Sequence, residues 1–191
     1  PVVNNIVLLT PLFNLLFFMR KFFTLVAFTA ISFFAHSQVL VGFDFYGRTG
    51  NQATDVSTQN AVGVLPSIIS RGNGLSATIM TNSFSSIGFS STLEASIAGN
   101  DYIEFTVSPA IGYQISITSV SFFGTRTTPN TGGPRTFVLR TSLDNYSTNV
   151  SGPSTQIAQN NQSVAVELDL NQIIISPTPV TFRIYGYDAQ S

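Results

Sequence analysis

Apolar and polar residues alternate along most of the chain after residue 38, the pattern of half-buried β-strands. Gly, Asn, Ser and Pro separate the alternating runs. No window has a sustained helical period, and at most one helical turn fits, at 171–175. The pattern predicts strands at 39–46, 102–107, 113–123, 135–141, 164–170 and 180–187, with shorter ones at 76–80 and 86–89.

The parity of the apolar residues assigns an inner face to each strand. Within 113–123 the apolar residues change from odd to even positions, which predicts a β-bulge at Thr118-Ser119. Four inward side chains are expected to be nearly fully buried: Phe105, Ile117, Phe137 and Leu168.

The connections support a strand-rich fold. A tight turn is predicted at Asp144-Asn145, since both residue types tolerate a positive φ. Gly and Pro keep 127–134 out of any strand, and the polar run 47–59 is typical of a flexible or ligand-facing loop. Seven or eight short strands in one domain predict an all-β fold, a two-sheet antiparallel β-sandwich of jelly-roll type.

The N-terminal part of the chain predicts a secretory signal peptide. Basic residues follow Met19, an apolar run occupies 22–34, and the small residues Ala35 and Ser37 precede Gln38. A membrane anchor is the alternative, but 13 apolar residues are too few for a bilayer core that needs about 20. We therefore expect an apolar helical signal peptide at 19–37 and a protein that is secreted or on the outer cell surface.

The two ends of the chain also carry expectations. We interpret 1–18 as translated sequence upstream of the true start, or as a fragment artefact. If 6–34 were one apolar stretch instead, two basic residues would lie inside a membrane at several kcal/mol of cost. The β-sandwich domain is expected to be 38–191, truncated at its C-terminal end, with further domains in the full-length protein.

Composition removes most catalytic mechanisms. The formal net charge is −1, 9% of residues are charged, and there is no Cys. After residue 37 there are six Arg, no Lys and nine acidic residues, and the single His is His36, in the predicted leader. Triads, His-ligated zinc and lysine chemistry are therefore absent from a mature chain, and no basic patch favours nucleic acid. The sequence predicts a protein that is not an enzyme and has no obligatory cofactor.

Carboxylates remain as candidate catalytic or metal-binding groups. Glu167 and Asp169 share one strand face about 7 Å apart, a spacing that suits an inverting glycosidase. A solvated outer face explains the same pair and is the favoured interpretation. Asp101 and Glu104 point to opposite faces and form no pair. Asp44 and Asp188, in the first and last strands, are candidate Ca²⁺ ligands, with strand-end solvation as the alternative.

Tyrosines and arginines are the candidate ligand-binding residues. Tyr residues offer rings that stack on sugars, although Trp is absent and Tyr is also an ordinary strand residue. Arginines beside the 127–134 loop can grip an anionic glycan, or protect sheet edges. The candidates are Tyr102, Tyr113, Tyr146, Tyr185 and Tyr187, with Arg126, Arg135 and Arg140.

Three segments resemble a known class of module: NDYIEFTVSP (100–109), the run 112–122 with the form GYxIxIxxVxF, and FVLRTSLDNY (137–146). They are similar to jelly-roll modules of secreted bacterial (Bacteroidetes-like) surface proteins, whose architecture is that of carbohydrate-binding modules. The resemblance covers 38–191 and implies no shared catalytic residues. It implies a module placed ahead of other domains, although no sorting domain is present here.

The functional expectation is a non-catalytic extracellular binding or structural module of a larger secreted or cell-surface protein. A stand-alone, lectin-like carbohydrate-binding domain is the alternative, and a carboxylate-only glycoside hydrolase is the second alternative. The expected partner is an extracellular glycan or surface polymer. Nucleic acid is not expected, nor is a membrane span after removal of the leader.

Overall fold

Antiparallel strands dominate the computed structural model, which describes residues 38–126, 133–158 and 161–189. From Val39 onward these residues belong to one compact unit, Val39–Ser191. The predicted leader, the segment 1–18 and most of the 127–134 loop lie outside the described residues. Within the described ranges, no helix is long and apolar enough to cross a membrane.

The described elements are eleven strands, one short helix and one 3-10 turn, Ser142–Asp144. They are β1 Val41–Gly42, β2 Thr54–Val56, β3 Gln59–Asn60, β4 Ile68–Arg71, β5 Ser76–Ala77, β6 Ser86–Ile87, α1 Leu93–Gly99, β7 Tyr102–Val107, β8 Ile115–Thr125, β9 Thr136–Thr141, β10 Ser163–Ser176 and β11 Val180–Tyr187. The prediction of an all-β fold is confirmed.

Two sheets contain the long strands. Five antiparallel strands form one sheet in the order β2-β4-β7-β11-β9, and β8 pairs with β10 as a two-stranded ribbon. The short strands form two further pairs, β1 with β3 and β5 with β6. One hydrophobic cluster contains side chains of both the five-stranded sheet and the ribbon, which is a sandwich-like arrangement.

The core confirms the predicted parity. Phe105, Ile117, Phe137 and Leu168 are 9%, 6%, 9% and 1% exposed. Phe105 stacks on Phe182 of the neighbouring strand with ring centroids 5.5 Å apart. Ribbon and sheet meet directly where the ring of Phe122 packs edge-on against Phe137, 5.0 Å between centroids.

The N-terminal strand is much shorter than the pattern predicts. The predicted run 39–46 contains only the two residues of β1. Phe43 and Phe45 nevertheless keep the expected side: both pack against the core, Phe43 edge-on to Phe105 at 6.0 Å and Phe45 stacked on Phe84 at 5.7 Å. Parity is thus retained where the strand hydrogen bonding is lost.

The pairing of β8 with β10 is irregular at the point where the apolar parity of β8 changes. Pairing with β10 jumps from Ser119↔Asp169 to Ile117↔Ile174, so that Thr118 faces residues 170–173. The surplus residues therefore belong to β10 and not to β8. The helical turn suggested for 171–175 is wrong, because these residues continue β10.

Helix α1 contradicts the expectation that no helix would form. Thr92 caps its first turn by accepting a hydrogen bond from the amide of Ala95, and Asn100 ends it in the left-handed conformation with φ 61°. Ser96 is fully buried and donates to the carbonyl of Gly186, 2.9 Å away. With seven residues, the helix is too short to show a periodic apolar stripe.

Arg71, at the end of β4, organises the segment predicted as a flexible loop. Its guanidinium donates to the carbonyls of Gln52 (2.6 Å), Gly50 (2.9 Å) and Ser85 (2.7 Å). It also lies 3.6 Å from the ring centroid of Phe84. Burial lowers the pKa of Arg71. The 47–59 segment contains β2 and the start of β3, so it is a structured part of the fold.

Candidate functional site

A row of polar side chains crosses the surface of the five-stranded sheet that faces away from the core; we call this surface the outer face. The strand registers place five residues side by side, one from each strand. Each precedes or follows a buried residue of its strand, so alternation turns its side chain outward. In strand order the row is Thr54, Ser70, Glu104, Arg183 and Arg140.

Arg183 is the centre of this row. Its Nε donates to Oε2 of Glu104 at 2.6 Å, and the two side chains are 22% and 28% exposed. Burial lowers the pKa of Arg183, but hydrogen bonds with Glu104 and Tyr185 more than offset this, so the pKa is raised above its ordinary value. Arg183 is therefore held as a cation in a half-buried ion pair with Glu104.

Two tyrosine rings contact the guanidinium of Arg183. Its Cζ lies 4.1 Å from the ring centroid of Tyr102 and 3.7 Å from that of Tyr146. Tyr102 also packs edge-on against Tyr185 at 5.4 Å. Burial is the main cause that raises the pKa of Tyr102, while the charge of Arg183 opposes it. The result is a stack of Tyr102, Arg183 and Tyr146, which we call the arginine stack.

The turn after β9 holds Tyr146 in place. The sequence predicts a turn at Asp144-Asn145, and Asn145 does have a positive φ of 56°; the second left-handed residue is Tyr146 (φ 59°), while Asp144 ends the 3-10 turn. Arg140 donates to the carbonyl of Tyr146 and to Oδ1 of Asn149, each at 2.8 Å. The carboxylate of Asp144 accepts hydrogen bonds from this turn, and the one donated by the Thr148 hydroxyl is the main cause that lowers the pKa of Asp144.

The outer face can form many hydrogen bonds, but it has few free aromatic surfaces. Thr106 and Thr181 pair through their hydroxyls at 2.8 Å, in the row next to Arg183. Val56 and Ile68 continue that row toward the sheet edge and are 52% and 59% exposed. Because arginine lies against two of the tyrosines, a sugar would meet hydroxyls, guanidinium and carboxylate before it met an open ring.

Two other predicted tyrosines lie away from the arginine stack. Tyr113 is 50% exposed and its ring packs on Gly63, where an added Cβ would be 2.1 Å from the ring. Tyr187 lines an open groove of about 430 Å³, together with residues 91–94, Thr136 and Asp188. Burial is the main cause that raises the pKa of Tyr187, and the charge of Asp188 adds to it.

The arginines predicted to flank the Gly/Pro loop have structural partners. Arg126 is 4% exposed and donates to the carbonyls of Gly133 (2.9 Å) and Ile157 (3.2 Å). Burial is the main cause that lowers its pKa, and the charge of Arg135 adds to it. Arg135 lies 3.9 Å from Asp188. Neither arginine belongs to the outer face.

The candidate calcium ligands have different neighbours. Asp44 accepts from the amide of Tyr46 at 2.9 Å, within its own turn. Asp188 accepts from Gln156 at 3.0 Å. Among residues 38–126, 133–158 and 161–189, no cluster of three or more His, Cys, Asp or Glu side chains is arranged to hold a metal ion.

The carboxylates considered for hydrolysis are on the ribbon. Glu167 and Asp169 are exposed on β10, opposite Ser121 and Ser119 of β8. Neither lines the groove described above. They therefore share a strand face, as alternation requires, on a surface open to solvent.

Sequence reasoning missed the central pair of the outer face. Glu104 and Arg183 lie at outward positions of two predicted strands, which was a usable signal. That they meet depends on β7 pairing with β11 across 79 residues, and alternation alone does not reveal which strands are neighbours.

No protein-family model matches the chain, and neither a curated protein nor a solved structure matches it.

Proposed function

We propose that residues 38–191 form a non-catalytic binding module of an extracellular protein, and that the module binds a glycan or surface polymer on its outer face. The observation that carries this proposal is the row of hydrogen-bonding side chains centred on the arginine stack. Its groups are fixed by ion pairing and ring contacts before any ligand arrives, which limits the entropy lost on binding.

The arrangement of the strands also supports the binding proposal. A five-stranded sheet and a ribbon around one core fit the two-sheet, jelly-roll arrangement that the sequence resemblance implies. The outer face lies opposite the core and carries a row of polar residues across its centre, so it is the sheet surface that a ligand would contact.

Export is part of the proposal, and it has its own test. Small residues at Ala35 and Ser37 favour cleavage that leaves Gln38 as the first residue. Mass spectrometry of the exported protein should find an N-terminus at Gln38. Recovery of the intact 22–34 segment in a membrane fraction would contradict secretion by this route.

Two observations favour binding over catalysis. A chain that begins at Gln38 has no His, Cys or Lys, so a general base at neutral pH must be a carboxylate. The two carboxylates with suitable strand geometry, Glu167 and Asp169, lie on a solvent-exposed face of the ribbon that offers no enclosure for a substrate. Turnover assays on polysaccharides test this directly, and hydrolysis lost on Glu167→Gln would replace the binding proposal.

The binding experiment compares two arginines that each pair with a carboxylate. Arg183→Lys keeps the charge beside Glu104 but removes the planar group between the two rings. Arg48→Lys is the matched control, since Arg48 pairs with Asp55 at 2.8 Å in the loop before β2. On a panel of soluble and insoluble polysaccharides, we expect Arg183→Lys to weaken binding about tenfold and the control to bind as the original chain does. Equal binding by all three proteins, or no binding to any polymer, would refute the proposal.

A further inference from the structure

The long strand edges of the described residues differ in how they are protected. The outer edge of β9 receives backbone hydrogen bonds from Val150 and Ser154, at 2.8 and 2.9 Å, and Arg135, just before β9, receives one from Ile157 at 2.8 Å. The outer edge of β10 is bridged to Ser151 at Leu170, and β10 also carries two carboxylates. At the far side of the five-stranded sheet, β2 has only three residues. Among the described strands, only β8 is long and has neither a covering segment nor a charged residue at its open edge.

The open edge runs along the whole length of β8. This strand has eleven residues, and among the described parts of the chain β10 is its only backbone partner. Its sequence, ISITSVSFFGT, contains no charged residue and no Pro. Native proteins usually protect such an edge with charges, Pro, bulges or a covering segment, because it readily pairs with another strand.

The side chains of β8 point to the same conclusion. Val120 and Phe122 face the core but are only partly buried, unlike Ile115 and Ile117 at 1% and 6% exposure. Phe123, on the other face, is 78% exposed. A strand added beside this part of β8 would cover apolar surface on both faces of the ribbon.

We propose that β8 pairs antiparallel with β8 of a second copy of this chain, so that two ribbons form one four-stranded sheet in the order β10-β8-β8-β10. A two-fold axis explains why a copy suits this edge. The single contact uses up both open β8 edges, so the assembly closes as a dimer whose outer strands are the carboxylate-bearing β10 strands.

Parity and charge both permit this symmetric contact. Residues 119–125, which follow the parity change at Thr118, alternate uniformly between the two faces of the strand. When this segment pairs antiparallel with its copy so that the two Phe122 residues lie opposite each other, inward residues face inward residues. Glu167 and Asp169 lie one strand farther away, and no like charges face each other across the axis. An interface limited to one strand edge is small, so we expect a weak, concentration-dependent dimer.

The test uses residues 38–191, since the described core lies within one compact unit. Ser121→Lys places an ammonium opposite Glu167 within the chain, where it forms a favourable cross-strand pair. In the dimer it brings two like charges close together on either side of the axis. Ala165→Lys is the control: it adds the same charge on the same exposed ribbon face, but on β10, opposite Phe123.

Sedimentation velocity over a concentration series up to about 1 mM measures the dimer constant. We expect the original chain and the control to dimerise alike, and Ser121→Lys to weaken the dimer about tenfold while unfolding at the same temperature when monomeric. If Ser121→Lys does not fold, Ser119→Lys, opposite Asp169, replaces it. A chain that stays monomeric throughout, open-ended association, or equal weakening by Ser121→Lys and Ala165→Lys would overturn the proposal. None of these outcomes depends on glycan binding.

Discussion

Replacing Arg183 with Met tests whether the arginine stack exists in solution. Met keeps an unbranched apolar stem of similar reach, so the substitution removes the charge while retaining contact with the two rings. The change therefore isolates the ion pair with Glu104 and the two cation–π contacts from ordinary packing.

The expected magnitude follows from the exposure of the groups. A partly exposed ion pair such as this one contributes up to about 1 kcal/mol, because water still screens it. Each cation–π contact at such a site adds about 0.5–1 kcal/mol, and there are two. Sulfur–aromatic contacts of the new Met offset about 0.3–1.5 kcal/mol of this lost stabilisation. We expect Arg183→Met to lower the free energy of unfolding by about 1–2 kcal/mol.

Urea denaturation at 25 °C measures this loss, and a double-mutant cycle assigns it. Tyr146→Asn is the second change, because Asn tolerates the positive φ at that position. The coupling energy between positions 146 and 183 should be about 0.5–1 kcal/mol. An unchanged m value would indicate that the unfolded ensemble is not the source of the effect.

Two results would refute this reasoning. A loss below about 0.5 kcal/mol, the range of ordinary surface changes, would mean that the guanidinium is not held between the rings. A coupling energy of zero with a normal overall loss would place the stabilisation in the ion pair with Glu104 and the contact with Tyr102, without Tyr146. In the first case the outer face would not be preorganised, and the binding proposal would lose its main support.

Three further predictions concern the rest of the domain. Phe105→Ala should lower the free energy of unfolding by about 3–5 kcal/mol, and a loss under about 1 kcal/mol would contradict its burial. Gly74→Ala should cost about 1–3 kcal/mol, since its Cβ would lie 2.0 Å from a carboxylate oxygen and 2.3 Å from a backbone carbonyl oxygen; Gly152→Ala, with no atom within 4 Å, should be nearly neutral in the same melts. Thr148→Val should raise the lowered pKa of Asp144 in an NMR titration. The stability that this carboxylate contributes is present above its unfolded pKa and lost as pH falls through the folded value, so the variant should lose less stability in acid.

Alternation predicted the strands that matter most for the core. Residues 102–107 and 180–187 form β7 and β11 as expected, and Phe105, the centre of the first, packs on Phe182 of the second. The signal was strong because one face of each strand is buried, and a shift of one residue would expose the whole apolar set. The same logic located the parity change near Thr118, although it assigned the surplus residues to the wrong strand.

The segment before β7 could not be predicted in the same way. Its strands β2, β5 and β6 have two or three residues each, too few for a period to emerge. Their positions depend on the hydrogen bonds of Arg71 and on its contact with Phe84. Helix α1 likewise depends on its capping residue Thr92 and on Ser96, whose buried hydroxyl binds a strand 90 residues away. Polar contacts between distant segments leave no periodic trace in the sequence.

The candidate site combines both kinds of information. Parity alone places Glu104, Arg183 and Tyr102 on outward positions, but their meeting requires the order of strands in the sheet and the turn that carries Tyr146. The contacts that order Arg183 also use up the ring surfaces beside it. Under the binding proposal, a ligand would therefore be recognised by hydrogen bonds to a rigid ion pair rather than by stacking on free rings, and the proposal favours a hydroxyl-rich polymer over an anionic one.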